Sequence, residues 1–153
     1  MITRHATDDD KEAIALILSK CYNMNGIEEA RETYEREKSK TYIVAEENDI
    51  IIGIVSWIMH GTPKHGLCEL DRIGVAPEKR GNGVGSALFE ALIKDAENFF
   101  LLNGSQLRKI FLFTNEDNAK AIDFYKKLGF SKDALLRNHY YEGKNELVLS
   151  MFM

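Results

Sequence analysis

The chain has 153 residues, 44% of them hydrophobic and 29% charged, one domain's worth of soluble globular sequence with material for a core. A net charge of −4 gives no basic footprint for nucleic acid, and no long apolar run or secretory stretch follows Met1-Ile2-Thr3-Arg4, so neither nucleic acid nor membrane is an expected partner. The two cysteines, Cys21 and Cys68, lack metal-ligand spacing and read as reduced thiols of a cytoplasmic protein that needs no metal.

Thr7 followed by Asp8, Asp9 and Asp10 marks a helix start, a hydroxyl cap ahead of negative charge in the first turn. Ile14, Ile17, Leu18 and Tyr22 then give that helix one apolar face. Glu28 to Lys38 reads as a second helix, strongly charged and more solvated than buried. Thr41 to Glu46 and Ile50 to Met59 are β-rich runs around the turn signal Glu47-Asn48-Asp49, hence a hairpin. A loop from Thr62 to Gly66 leads into a strand from Leu67 to Val75 that ends at Ala76-Pro77. Val84, Leu88, Ala91, Leu92, Ala96 and Phe99 predict a helix stopped by Asn103-Gly104. Lys109 to Thr114, continuously apolar from Ile110 to Phe113, reads as a short buried strand. Glu116 and Asp117 open another helix with Ala121, Ile122, Tyr125 and Leu128 inside and Gly129 beyond its end. Strands at Ala134 to Tyr141 and Asn145 to Phe152 close through Glu142-Gly143-Lys144. The order predicts a single α/β (α+β) domain over residues 1–153, a mixed sheet covered by helices.

Arg80-Gly81-Asn82-Gly83-Val84-Gly85-Ser86 is the segment richest in chemistry. Alternate glycines let the backbone approach a ligand, and the helix that follows aims its unpaired N–H groups and positive dipole end at the turn. Arg80 adds a forked cationic donor. A diphosphate suits this cradle, yet the spacing is neither the dinucleotide Gly-x-Gly-x-x-Gly nor a Walker loop, since no Lys precedes Ser86.

That turn, with Val75-Ala76-Pro77 before it and Asn118-Ala119 and Phe124-Tyr125-Lys126-Lys127-Leu128-Gly129-Phe130 after it, resembles the GNAT family of N-acetyltransferases. Arg80, Gly83 and Gly85 fill the defined positions of the family's Arg/Gln-x-x-Gly-x-Gly/Ala signature. The resemblance extends along nearly the whole chain and implies a mostly antiparallel sheet of about six to seven strands with a splayed central strand and about four helices. It implies acetyl transfer from acetyl-CoA, as co-substrate, to an amine. Arg80 and the turn from Gly81 through Asn82, Gly83, Val84 and Gly85 to Ser86 would take the pyrophosphate. The strand around Ile73, Gly74 and Val75 would pair with the pantetheine arm as if with another strand. Asn118 would reach that arm from the far side, or else cap its helix.

Tyr125 is similar to the family's tyrosine that protonates the CoA sulfur; the alternative is a core tyrosine. Glu69 stands where the histone acetyltransferase branch has its general base, and strand alternation sets Asp71 on the same face, toward substrate. A solvated strand residue, or an ion pair of Glu69 with Arg72 or a neighbouring lysine, is the competing reading. The branch that acetylates ribosomal proteins takes its glutamate from a position matching Phe113 here, which cannot serve. Arg137-Asn138-His139-Tyr140-Tyr141 resembles the turn with which N-terminal acetyltransferases line a peptide groove, making Tyr140 and Tyr141 substrate candidates. His60 and His65 flank Pro63 in a loop, Trp57 reads as core or wall, and Cys68 points away from Glu69. The resemblance implies a peptide or protein amine as acceptor, with a polyamine-type amine or a catalytically inactive CoA-binding module as alternatives, in a monomer or homodimer.

Overall fold

Asn48 and Asp49 adopt φ of 52° and 61°, the double left-handed geometry of a tight hairpin turn, and so join β2 (Thr41–Glu47) to β3 (Ile50–His60) as expected. The computed structural model describes residues 1–153. The other strands are β1 (Ile2–His5), β4 (Leu67–Val75), β5 (Lys109–Asn115), β6 (Ser131–Tyr141) and β7 (Lys144–Phe152), and the seven-stranded order is β1-β2-β3-β4-β5-β7-β6. The helices are α1 (Lys11–Cys21), α2 (Ile27–Glu37), α3 (Val84–Leu102) and α4 (Ala119–Lys127). No helix is long and apolar enough to cross a membrane. The chain divides into two compact units, residues 1–58 with 72–96, and residues 59–71 with 97–153.

The first unit contains a strand that patterning does not predict. β1 pairs antiparallel with β2 from Ile2↔Glu46 to His5↔Ile43, although its side chains are exposed or half-buried. Its anchor is ionic: Arg4 donates to Asp10 at 2.7 and 2.9 Å and to Glu46 at 2.8 Å. Thr7 starts the turn as expected, its N–H donating to Asp10 Oδ2 at 2.8 Å, but the first turn is a 3₁₀ turn and α1 begins only at Lys11. The Arg4 guanidinium holds the Asp10 carboxyl below its ordinary range against the opposing effect of burial. Ile14, Ile17 and Leu18 of α1, Ala30 and Tyr34 of α2, Tyr42 and Val44 of β2 and Ile54 of β3 form one apolar cluster. Burying each large side chain stabilises the unit by roughly 1.5–3 kcal/mol relative to exposure. On the other face of β3, Gly53 lets α3 come close, since a Cβ there would stand 2.9 Å from Leu88 Cδ1 and 3.1 Å from Val84 Cγ1.

Glu37, the last residue of α2, accepts from Arg72 Nε at 2.8 Å, Arg72 Nη2 at 2.7 Å and Tyr42 Oη at 2.8 Å. Arg72 also lies 4.9 Å over the Tyr22 ring. These bonds fasten α2 to the C-terminal half of β4. Burial alone would raise the Glu37 carboxyl, but Arg72 and Tyr42 hold it below the usual carboxylate range.

In the second unit β5 pairs antiparallel with β7 from Lys109↔Phe152 to Asn115↔Glu146, and β7 pairs with β6. β4 joins β5 in parallel over Leu67↔Lys109, Cys68↔Ile110 and Glu69↔Phe111. The expectation of a fully buried β5 is corrected: Ile110, Leu112 and Thr114 are buried, whereas Phe111 and Phe113 are only half-buried. A continuous apolar run cannot reveal that one face is left open. α4 starts at Ala119, later than the acidic pair suggested, because Asn118 is the residue that caps it.

Glu37→Gln should cost about 3 kcal/mol near neutral pH, because it leaves Arg72 without its counter-charge. A depressed carboxyl contributes stability above its unfolded pKa and loses it as pH falls through the folded one. Chemical denaturation should therefore show the difference from wild type shrinking as pH drops below about 4.

Candidate active site

The glycine turn lies in the first unit. A 3₁₀ turn at Pro77–Lys79 leads into it, Gly81 and Gly83 take φ of 78° and 79°, and α3 begins at Val84. The Arg80 N–H donates to Pro77 O at 3.4 Å, and the next backbone amide with a partner is that of Ala87, which donates to Gly83 O at 3.0 Å. The amides from Gly81 to Ser86 are thus left for a ligand or water. A Cβ on Gly81 or Gly83 would meet no atom of the chain within 4 Å. These glycines are therefore not filled against the fold. They bound open space beside unpaired N–H groups at a helix N-terminus, which fits an anion such as a diphosphate. Asn82 stays inside the turn, reaching Lys79 O and Arg80 O at 3.4 Å.

The adjoining end of β4 shows what patterning could not. The Tyr22 hydroxyl donates to Ile73 O at 3.0 Å and accepts from Ile73 N–H at 2.9 Å. Val75 O accepts from Arg80 Nε at 3.1 Å and from Cys21 Sγ at 3.5 Å. The two residues expected to offer a strand edge to pantetheine thus have these polar groups occupied by side chains. Gly74 has a packing function, since a Cβ there would lie 3.1 Å from Cys21 Sγ and 3.2 Å from Ile17 Cγ2. Tyr22, the extended residue that follows α1, reads in the sequence only as one more apolar position of the first helix.

The second unit holds the remaining candidates. Tyr125 is 8% exposed, and burial pushes its phenol up to about 12, so it keeps its proton throughout the neutral range. The Asn118 side chain accepts from Ala121 N–H at 3.2 Å, the capping geometry. Asp71 is half-buried, while Tyr140 and Tyr141 are exposed. Glu69 is bonded through Oε2 to His60 Nε2 at 2.5 Å. His60 ends β3 and is not in the loop where the sequence suggested it; His65 does lie in the turn, its Nδ1 taking the Thr62 N–H at 2.9 Å. Cys68 is fully buried and, back in the first unit, Trp57 is buried with its Nε1 on Asp95 at 2.8 Å, both in keeping with their expected places.

An aromatic row runs from His60. Its ring meets Phe111 edge-on at 5.0 Å, Phe111 meets Phe113 at 5.7 Å, Phe113 stacks with His139 at 5.9 Å, and His139 meets Tyr140 at 4.7 Å. Phe111 and Phe113 can both belong to it because they alternate on the open face of β5. Glu146, a buried carboxylate that sequence reasoning missed, is raised by burial, with the Asn115 side chain and His139 pulling it back. Nothing in a strand's alternation marks such a residue as buried.

The profile of the Acetyltransferase (GNAT) family matches residues 11–130. Mycothiol acetyltransferase of Pseudarthrobacter chlorophenolicus is 38% identical over 74 residues, 46% of this chain and 21% of its own length. N-alpha-acetyltransferase 30 of Schizosaccharomyces pombe is 32% identical over 103 residues, 65% of this chain and 63% of its own. The chain spans from 21% to 44% of the length of the first curated relatives it matches. A solved aminoglycoside 6'-N-acetyltransferase complexed with coenzyme A has the same fold, with a TM-score of 0.81 at 18% identity over 99% of this chain and 97% of that one.

Tyr22→Phe should strip Ile73 of both partners at once. We expect a loss of about 1–3 kcal/mol in denaturant unfolding and faster hydrogen exchange at the Ile73 amide. Unchanged exchange there would mean that water replaces the hydroxyl without cost.

Proposed function

Because the chain belongs to the Acetyltransferase (GNAT) family, we propose that it transfers the acetyl group of acetyl-CoA directly to a primary amine, acting as one domain over residues 1–153. The observation that carries this reading is the turn at Gly81 and Gly83, whose missing Cβ atoms face open space beside a run of unpaired amides. Acetyl-CoA supplies the activated acetyl group. Arg80 and the amides from Gly81 to Ser86 hold the diphosphate. The polar backbone of Ile73 and Val75 takes the pantetheine amides once Tyr22, Arg80 and Cys21 give way. Tyr125 Oη delivers a proton to the departing sulfur, a role supported by its place in the run Phe124 to Phe130 that is similar to the family's. Glu69 serves the proton that leaves the amine, and Asn118 orients α4 by capping it.

The acceptor we favour is a peptide or protein amine. Support comes from the half-buried rings of Phe111 and Phe113 with His139 and Tyr140 beyond them, a surface suited to an apolar first side chain and peptide backbone. An α-amino group near ~8 also demands less of a base than a side-chain amine near ~10. A polyamine-type amine is the second choice, supported by the partly open carboxylates Glu69 and Asp71. The reduced thiols of Cys21 and Cys68 support action in the cytoplasm.

Thiol release from acetyl-CoA should be assayed with peptides, polyamines, amino acids and aminoglycosides as acceptors. We expect turnover highest on peptides that begin with an apolar residue; a preference for spermidine would move the acceptor class. Gly83→Val should remove measurable acetyl-CoA binding in calorimetry while costing the fold about 1–2 kcal/mol for its positive φ. Undiminished affinity would take the diphosphate out of the turn. Tyr125→Phe should lower kcat by about 100-fold with acetyl-CoA affinity retained. Wild-type turnover across pH would remove Tyr125 from the reaction.

A further inference from the structure

We propose that His60, rather than Glu69 itself, takes the proton of the acceptor amine, with Glu69 as its positioning residue. This rests on the acetyl-transfer reading. The Glu69 side chain is 13% exposed and one of its oxygens is already occupied by the imidazole, whereas the His60 side chain is 41% exposed. The group of the pair that a substrate can reach is the ring.

The carboxylate also decides which ring nitrogen is basic. An ionised carboxylate only accepts, so the hydrogen on the neutral ring sits on Nε2 and points at Glu69. Nδ1 keeps its lone pair, and no hydrogen bond within the chain engages it. Phe111, edge-on at 5.0 Å and 70°, limits rotation of the ring from the β5 side. His60 thus stands at one end of the aromatic row that we assign to the acceptor, held by two neighbours and with much of its side chain exposed. The groups around it are Glu69 from β4, uncharged Phe111 from β5 and, in the following turn, His65, whose own Nδ1 is engaged by the Thr62 N–H.

In the step itself the amine lone pair forms a C–N bond to the acetyl carbonyl carbon, and the C–S bond breaks with its electron pair on sulfur. The sulfur takes a proton from Tyr125 Oη, and the nitrogen's proton passes to His60 Nδ1. Solvent then removes the proton from the imidazolium and returns one to the phenolate, leaving an amide and a thiol. Glu69 offsets the charge on the imidazolium without being consumed.

The test combines nitrogen NMR of the histidine-labelled full chain with kinetics on acetyl-CoA plus, in parallel, a peptide with a free α-amine and spermidine. We expect an Nε2–H tautomer at His60 that is lost in Glu69→Gln. His60→Gln should lose about 100-fold in kcat together with the acid limb of the pH–rate profile, and keep wild-type acetyl-CoA affinity. Glu69→Gln should lose less and retain a limb, and the double variant should be no slower than His60→Gln alone. An Nδ1–H tautomer, or His60→Gln with wild-type rate and profile while Glu69→Gln loses both, would overturn the assignment and leave acetyl transfer standing. Wild-type protein that binds no acetyl-CoA in calorimetry would overturn the acetyl-transfer reading and this assignment with it.

Discussion

Three residue pairs join β4 to β5, and the last of them is Glu69↔Phe111. Beyond that point the backbone of β4 still carries the N–H and C=O groups that a neighbouring strand would have bonded, and they must find other partners. Ile73 finds the Tyr22 hydroxyl, and Val75 finds Arg80 and Cys21. Much else is arranged around this constraint. Gly74 lacks a side chain so that the end of α1 can come close enough to supply Cys21 and Tyr22, and the Tyr22 ring is in turn covered by Arg72.

Arg72 is itself a junction. Its guanidinium is engaged by Glu37 from α2 on one side and by the Tyr22 ring on the other, so one cation ties a helix end to the strand where backbone partners run short. Such a pair adds little net stability over a well-packed apolar pair, but it is unforgiving of losing one member. The geometry that it fixes is local and directional, which apolar packing alone does not supply.

What the sequence reveals and what it hides divide along physical lines. The hairpin turn, the end of α3 and the glycine turn before α3 all announce themselves because glycine, asparagine or aspartate is favoured where φ is positive, and that need is local. The α3 face is legible from spacing, although Phe89 and Phe100 are buried where Ala91 and Phe99 are only half-buried. β1 is hidden because an edge strand held by backbone bonds and Arg4 needs no apolar alternation. The open face of β5 and the pairing of His60 with Glu69 are hidden because both depend on which strands become neighbours. In the candidate site the Asn118 cap is one of the two readings that the sequence offers, but other partners are not readable: Glu69 pairs with His60 where Arg72 or a lysine is expected, and Tyr22 carries no motif.

The hydroxyl of Tyr22 matches both polar groups of a single residue, as an amide of an incoming chain would. A ligand that adds to β4 at Ile73 therefore exchanges one set of hydrogen bonds for another of similar worth, and gains little from them in net free energy. If acetyl-CoA binds as proposed, its amide-bearing arm would contribute mostly alignment, and tight holding would fall to its charged end at the glycine turn. Such a division of labour would suit a co-substrate released after every cycle, because the Tyr22 hydroxyl would take back the Ile73 groups as the arm leaves.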